Sequence, residues 1–164
     1  MASTKTAPQK PSYLGLLNAL AVAETAAEPY LLAWADTTRD KKLAAALRFV
    51  AMREGEHGKA FAKRMLELGF EVRWPESDGV HPKMDLVTSD RTDLQKFRAL
   101  KIGKDNPETD IFDGMFMDKT IDPITGGLLG RYIAEERDST RILAAEYQRL
   151  FKKDKGAKAR ASKR

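Results

Sequence analysis

Apolar residues recur at intervals of three and four along three long segments of the chain, and this spacing predicts amphipathic helices. The predicted helices cover residues 12–36, 40–69 and 122–151. Ser12 is the N-cap candidate of the first helix, and Gly69 suits the position just past the end of the second. No segment alternates apolar and polar residues convincingly as a half-buried strand would, so the pattern predicts an all-α chain.

The part of the chain between the second and the last long helix lacks a sustained period. Residues 70–90 contain the turn signals Trp-Pro, Asp-Gly and His-Pro, which favour a long crossover loop. Two shorter helices are predicted after it, over residues 93–103 and 108–118. The order of these elements is a long helical hairpin, a crossover, and a second hairpin.

An internal repeat supports this division into two hairpins. A shift of 82 residues, the separation of Asp40 from Asp122, places the start of the second helix over the start of the last helix without a gap. The aligned pairs include Asp40 with Asp122, Leu47 with Leu129, and Glu54 with Glu136. The repeat therefore predicts two helical hairpins of one design.

Composition and charge refine the domain organisation. The 164 residues suffice for one ordinary domain, and no window is apolar enough for a membrane span. Cysteine is absent, which excludes disulfides and thiolate metal sites, and a cytoplasmic location is expected. The net charge of +5 belongs to residues 152–164, which hold seven basic residues and one acid. We therefore predict a flexible leader over 1–12, a helical bundle over 13–151 and a disordered basic tail over 152–164.

Glutamates interrupt the apolar stripes of the three long helices. Glu24, Glu54 and Glu136 each lie near the middle of a stripe, and an ionised carboxylate on a core face needs a cation or a proton. His57 follows Glu54 by one helical turn, so that both side chains can reach the same ion. Mixed carboxylate and imidazole ligation suits iron, manganese or zinc.

One other interpretation of these glutamates stands beside the metal hypothesis. Glutamates at the edge of the core could be neutralised by arginine, and the candidates are Arg48, Arg53, Arg64 and Arg131. The other histidine, His81, precedes Pro82 in the predicted loop and is interpreted as a surface residue.

In the stretches AETAAEPYLLAW, REGEHGKAFAKRMLELG and GRYIAEERDSTRILAAEYQRL the chain resembles the ferritin-like superfamily, in particular the rubrerythrin-like proteins. The resemblance extends over about residues 13–151. It implies a ferritin-like four-helix bundle, made of two repeated helical hairpins joined by a long crossover loop. In that family, two irons lie between one Glu from each of two helices and one Glu-x-x-His from each of the other two.

The resemblance also implies a set of metal ligands. The residues that match the family's motif are Glu24, Glu54, His57 and Glu136. Ser139 stands where the second histidine is expected, and reading that motif one residue earlier gives Glu135 and Asp138. Glu28 is the alternative to Glu24 on the first helix, and Asp110 or Asp113 is the substitute for the third-helix glutamate.

Three functions are consistent with these residues. The first, implied by the resemblance, is an iron-binding protein with one or two ions and oxidase or peroxidase-type activity, in which a homodimer is one expected assembly. The second is a metal-free ferritin-like bundle that acts as a scaffold or interaction module. The third is weak binding of nucleic acid or another anionic partner by the basic tail.

Overall fold

The structure is a computed structural model that describes residues 10–76, 82–102 and 117–161. These residues form helices and no strand, which confirms the all-α prediction for the described part of the chain. The helices are α1 (Leu14–Thr37), α2 (Lys41–Glu67), α3 (Pro82–Thr88), α4 (Asp93–Leu100) and α5 (Pro123–Ala161).

The ends of α2 agree closely with the sequence prediction. The side chain of Asp40 accepts hydrogen bonds from the backbone N–H groups of Lys42 and Leu43, and so satisfies two donors at the helix start. Past the other end, Gly69 adopts a φ of 84°, a left-handed conformation that glycine takes without steric cost.

The three long helices pack around a shared core. The short connection after Thr37 places α1 and α2 side by side as an antiparallel hairpin, and α5 packs against α2. The short helix α3 packs on α1, and α4 packs on α5. Helix α4 begins with a capping box in which the side chains of Thr92 and Gln95 each accept from the backbone N–H of the other.

The core consists of two separate apolar clusters. The first lies at the α1–α2 turn and includes Trp34, Leu47 and Phe97, and the second lies at the opposite end and includes Leu17, Phe61 and Ile133. Polar positions separate the two clusters along each of the three long helices: Glu24 on α1, Glu54 and His57 on α2, and Glu136 and Ser139 on α5. The core is thus divided by a polar layer at mid-height.

Two elements differ from the sequence prediction. The predicted crossover loop contains α3, which begins at Pro82, a residue well suited to the first helical position. Helix α5 continues to Ala161, ten residues beyond the predicted end at Phe151, so residues 152–161 are helical rather than disordered. Lysine, arginine and alanine dominate this basic segment, and all three have high helix propensity. The predicted helix at 108–118 lies almost entirely outside the described residues.

No helix in the described ranges has both the length and the apolar character that a membrane span requires.

Candidate metal centre

The polar layer brings four potential metal ligands together from three helices. Each of Glu24, Glu54, His57 and Glu136 offers one ligand atom, and these atoms all lie within 4.8 Å of one another. The first three side chains are buried and the fourth is half-buried. The distances and the burial are compatible with one metal ion held between the three helices.

Several ligand atoms of this cluster have no hydrogen-bond partner. His57 Nδ1 lies 3.5 Å from Glu136 Oε1 and 3.9 Å from Glu24 Oε2. These three atoms are buried and make no hydrogen bond in the structure. Burying a polar atom without a partner is costly, and a cation placed among the three atoms would satisfy all of them at once.

Neighbouring side chains orient two of the ligands. Tyr132 donates a hydrogen bond of 2.9 Å to Glu24 Oε1, which leaves Oε2 directed into the cluster. His57 Nε2 lies 2.7 Å from Glu135 Oε2, and Arg131 pairs with the same carboxylate at 3.0 Å. If Nε2 carries the proton that it donates to Glu135, the lone pair of Nδ1 faces the cluster, as in many protein metal sites.

The ionisation of the cluster reflects its burial and its crowded charges. Burial lowers the pKa of His57, but the surrounding carboxylates, chiefly that of Glu136, raise it to about 10. Burial and the neighbouring carboxylates, first that of Glu24, raise the pKa of Glu54 to about 10. For Glu24, burial raises the pKa, but the interaction with His57 and further hydrogen bonds lower it below its ordinary value. Without a metal, protons on His57 and Glu54 therefore reduce the negative charge of the cluster.

Two glycines allow α1 and α2 to approach closely beside the cluster. A Cβ atom on Gly58 would lie 2.3 Å from Thr25 Oγ1 and 2.8 Å from the Thr25 backbone nitrogen. A Cβ atom on Gly55 would lie 2.5 Å from the carboxyl carbon of Glu28. Both glycines flank the ligands of α2 in the stretch REGEHGK, and sequence reasoning did not identify this role.

The remaining predicted ligands are not brought into the cluster. Glu28 lies against Gly55, one helical turn from Glu24, so Glu24 is the first-helix residue that joins the cluster. Asp110, Asp113 and His81 lie outside the described residues. Ser139 is buried, and its Oγ lies 3.3 Å from Arg53 Nη1, so the expected second histidine is replaced by a contact with a cation.

The arginines considered as neutralising partners are engaged elsewhere. In the described part of the chain, their ion pairs are Arg48 with Asp36, Arg53 with Asp138, Arg64 with Glu67 and Asp122, and Arg131 with Glu56 and Glu135. None of these carboxylates belongs to the four-residue cluster. In the described residues, these arginines therefore do not pair with the carboxylates of the cluster.

Sequence reasoning did not identify Tyr132, and it considered Glu135 only as an alternative ligand. One signal was present in the sequence: Tyr132 precedes Glu136 by one helical turn on the same stripe of α5. The position of Glu135 depends on how α5 is rotated against α2, which no local pattern specifies. No family model, no curated protein and no solved structure matches this chain.

Proposed function

We propose that this protein is a ferritin-like metal-binding protein that binds iron in the polar layer of its helical core. The observation that carries the proposal is the convergence of three buried, unpartnered ligand atoms from three helices on one point. The resemblance of the sequence to rubrerythrin-like proteins points to the same four residues. The proposal includes a four-helix bundle of two hairpins, of which α1 and α2 form the first.

Iron is the proposed metal because the resemblance to rubrerythrin-like proteins implies it, and the donors of the cluster are compatible with it. Three carboxylates and one imidazole form a mixed oxygen and nitrogen set, which suits iron and also accommodates manganese or zinc. The four ligands suffice for one ion. A second ion would need further donors, and Asp110, outside the described residues, is the candidate that the repeat offers.

The proposed activity is of the oxidase or peroxidase type. When bound, ferrous iron would supply electrons for the reduction of dioxygen or peroxide. The protein's own contribution is to position the ligands: Tyr132 holds Glu24, and Glu135 holds His57. The two apolar clusters border the polar layer on either side along the long helices.

A metal-free scaffold is the second candidate function, and one observation favours it. The raised pKa values of His57 and Glu54 allow both groups to carry protons, which reduces the negative charge of the layer without any metal. A bundle of this kind would serve as an interaction module, and its stability would not depend on iron.

The metal content of the purified protein, before and after anaerobic loading with ferrous iron, tests the proposal. We expect one or two irons per chain, and their loss in Glu54→Ala and His57→Ala. Glu56→Ala is the matched control, because Glu56 lies between these ligands on α2 but is exposed and pairs only weakly, at 4.0 Å, with Arg131. A folded protein that takes up no iron, or the same iron content in all three variants, would favour the scaffold.

A further inference from the structure

A cavity of about 420 Å³ opens beside the metal-ligand cluster. The carboxylates of Glu24, Glu54 and Glu136 contribute to its lining and are buried or half-buried, so they mark its inner end. Lys83, on α3, and Lys101, at the end of α4, also line it and are exposed, so they mark its mouth. The cavity therefore leads from two surface cations to the candidate metal ligands.

The remaining walls of this cavity are mainly aliphatic. Leu31, Val50 and Leu143 are almost completely buried and belong to the core cluster beside the layer. Ser139 lines the same cavity and supplies only a small side chain at the position where the repeat predicts a histidine. Because the side chain of serine is smaller than that of histidine, Ser139 leaves space next to Glu136.

The two lysines are arranged to present positive charge at the mouth. Lys83 Nζ donates a hydrogen bond of 3.3 Å to the Tyr30 hydroxyl and lies 4.8 Å from the centre of the Tyr30 ring, and Tyr30 is itself part of the lining. Lys101 caps α4 with a left-handed φ of 57°. Within the described ranges, Lys101 has no ion-pair partner.

We propose that this cavity binds a small aliphatic monocarboxylate. The carboxylate of the ligand pairs with Lys83 and Lys101, and its chain lies along the aliphatic walls toward the metal-ligand cluster. An inorganic anion would leave the aliphatic walls without a partner, and the inner carboxylates would repel it. A cationic ligand would have to pass both lysines.

This inference deepens the proposed function, and rests on it in one respect: the ligand would be the substrate or effector of the metal centre. Binding of the monocarboxylate depends on Lys83, Lys101 and the aliphatic walls of the cavity. It can therefore be measured on the protein without added metal, and a failure of iron binding does not decide it.

Isothermal titration calorimetry with hexanoate, on the full chain, tests the inference. We expect hexanoate to bind, acetate to bind more weakly because it buries less apolar surface, and hexylamine not to bind. Lys83→Gln combined with Lys101→Gln should weaken hexanoate binding about tenfold, since each exposed ion pair contributes only modestly. Lys41→Gln combined with Lys42→Gln is the matched control, because these exposed lysines at the start of α2 are not part of the lining.

A second variant tests the cavity without changing charge. Ala23 is an exposed residue of the lining, so that Ala23→Trp should fill the mouth without disturbing the core and abolish hexanoate binding. The inference would be overturned if the folded protein did not bind hexanoate. It would also be overturned if the two double lysine variants bound hexanoate with equal affinity. Iron binding is measured separately by elemental analysis, and the hexanoate measurements do not decide it.

Discussion

Tyr132 on α5 donates a hydrogen bond of 2.9 Å to Oε1 of Glu24 on α1, across the polar layer of the core. The other oxygen, Oε2, makes no hydrogen bond and lies 3.9 Å from His57 Nδ1. The rings of His57 and Tyr132 also pack nearly perpendicular to each other, with the ring centres 5.0 Å apart. Tyr132 thus connects two ligands from different helices and directs one carboxylate oxygen into the cluster.

Removing this hydroxyl should destabilise the metal-free protein. In Tyr132→Phe the buried carboxylate of Glu24 loses a hydrogen-bond donor, and we expect the free energy of unfolding to fall by about 1–3 kcal/mol. Urea denaturation measures the change. Tyr147→Phe is the control, because Tyr147 is also buried in the core but its hydroxyl makes no hydrogen bond to the described residues. Equal losses in the two variants would contradict the role assigned to Tyr132.

The close approach of α1 and α2 should make Gly58 intolerant of a side chain. The added methyl group of Gly58→Ala would meet the Thr25 backbone, so the two helices must separate beside His57. We expect a loss of about 1–3 kcal/mol in unfolding free energy, together with weaker metal binding. Gly130→Ala on α5 is the control: a Cβ atom there meets nothing within 4 Å, and alanine has the higher helix propensity. A stability gain in both variants would show that the helices are not in close contact at Gly58.

Metal binding should tighten as the pH rises. The carboxylates around His57 and the burial of Glu54 raise both pKa values to about 10, so protons occupy these groups in the metal-free protein at neutral pH. A metal must displace these protons, and the apparent affinity should therefore increase between about pH 6 and pH 8. Zinc titrations in buffers of different ionisation enthalpy would reveal the released protons. An affinity independent of pH would exclude both groups as ligands.

The pairing of Asp40 with Arg149 should add a separate acid dependence to stability. Two hydrogen bonds of 2.7 Å and 3.0 Å join these side chains and connect the start of α2 to α5. Arg149 and the backbone N–H groups of α2 lower the pKa of Asp40 to about 2. Because the pKa is lower in the folded state, the stabilisation is complete above the ordinary value of 3.8 and is lost as the pH falls toward 2.

Asp40→Asn removes this charge and should lower the free energy of unfolding at neutral pH by up to about 1 kcal/mol. The difference in unfolding free energy between Asp40→Asn and the original protein should disappear as the pH approaches about 2. Asp36→Asn is the control, because the Asp36 side chain is 66% exposed and its pair with Arg48 is open to solvent. A difference for Asp40→Asn that stays constant down to acid pH would contradict the assignment.

The sequence predicted the helices better than their ends and connections. The periodicity of α1 and α2 and the cap at Asp40 locate the first hairpin to within a few residues, because these signals are local. Helix α3 was missed because seven residues between turn signals are too few to establish a period. The extension of α5 to Ala161 was missed because low apolar content was interpreted as disorder, although the residues favour a helix.

The sequence by itself determined that Glu24, Glu54, His57 and Glu136 lie at the middle of apolar stripes, since a stripe follows from residue spacing alone. Only the tertiary structure decided that Glu24 rather than Glu28 enters the cluster, that Tyr132 and Glu135 hold the ligands, and that the arginines pair elsewhere. These relations depend on how far each helix is rotated about its axis and how closely it approaches its neighbour. Contacts such as that of Gly58 with Thr25 set both quantities, and they join residues distant in the chain.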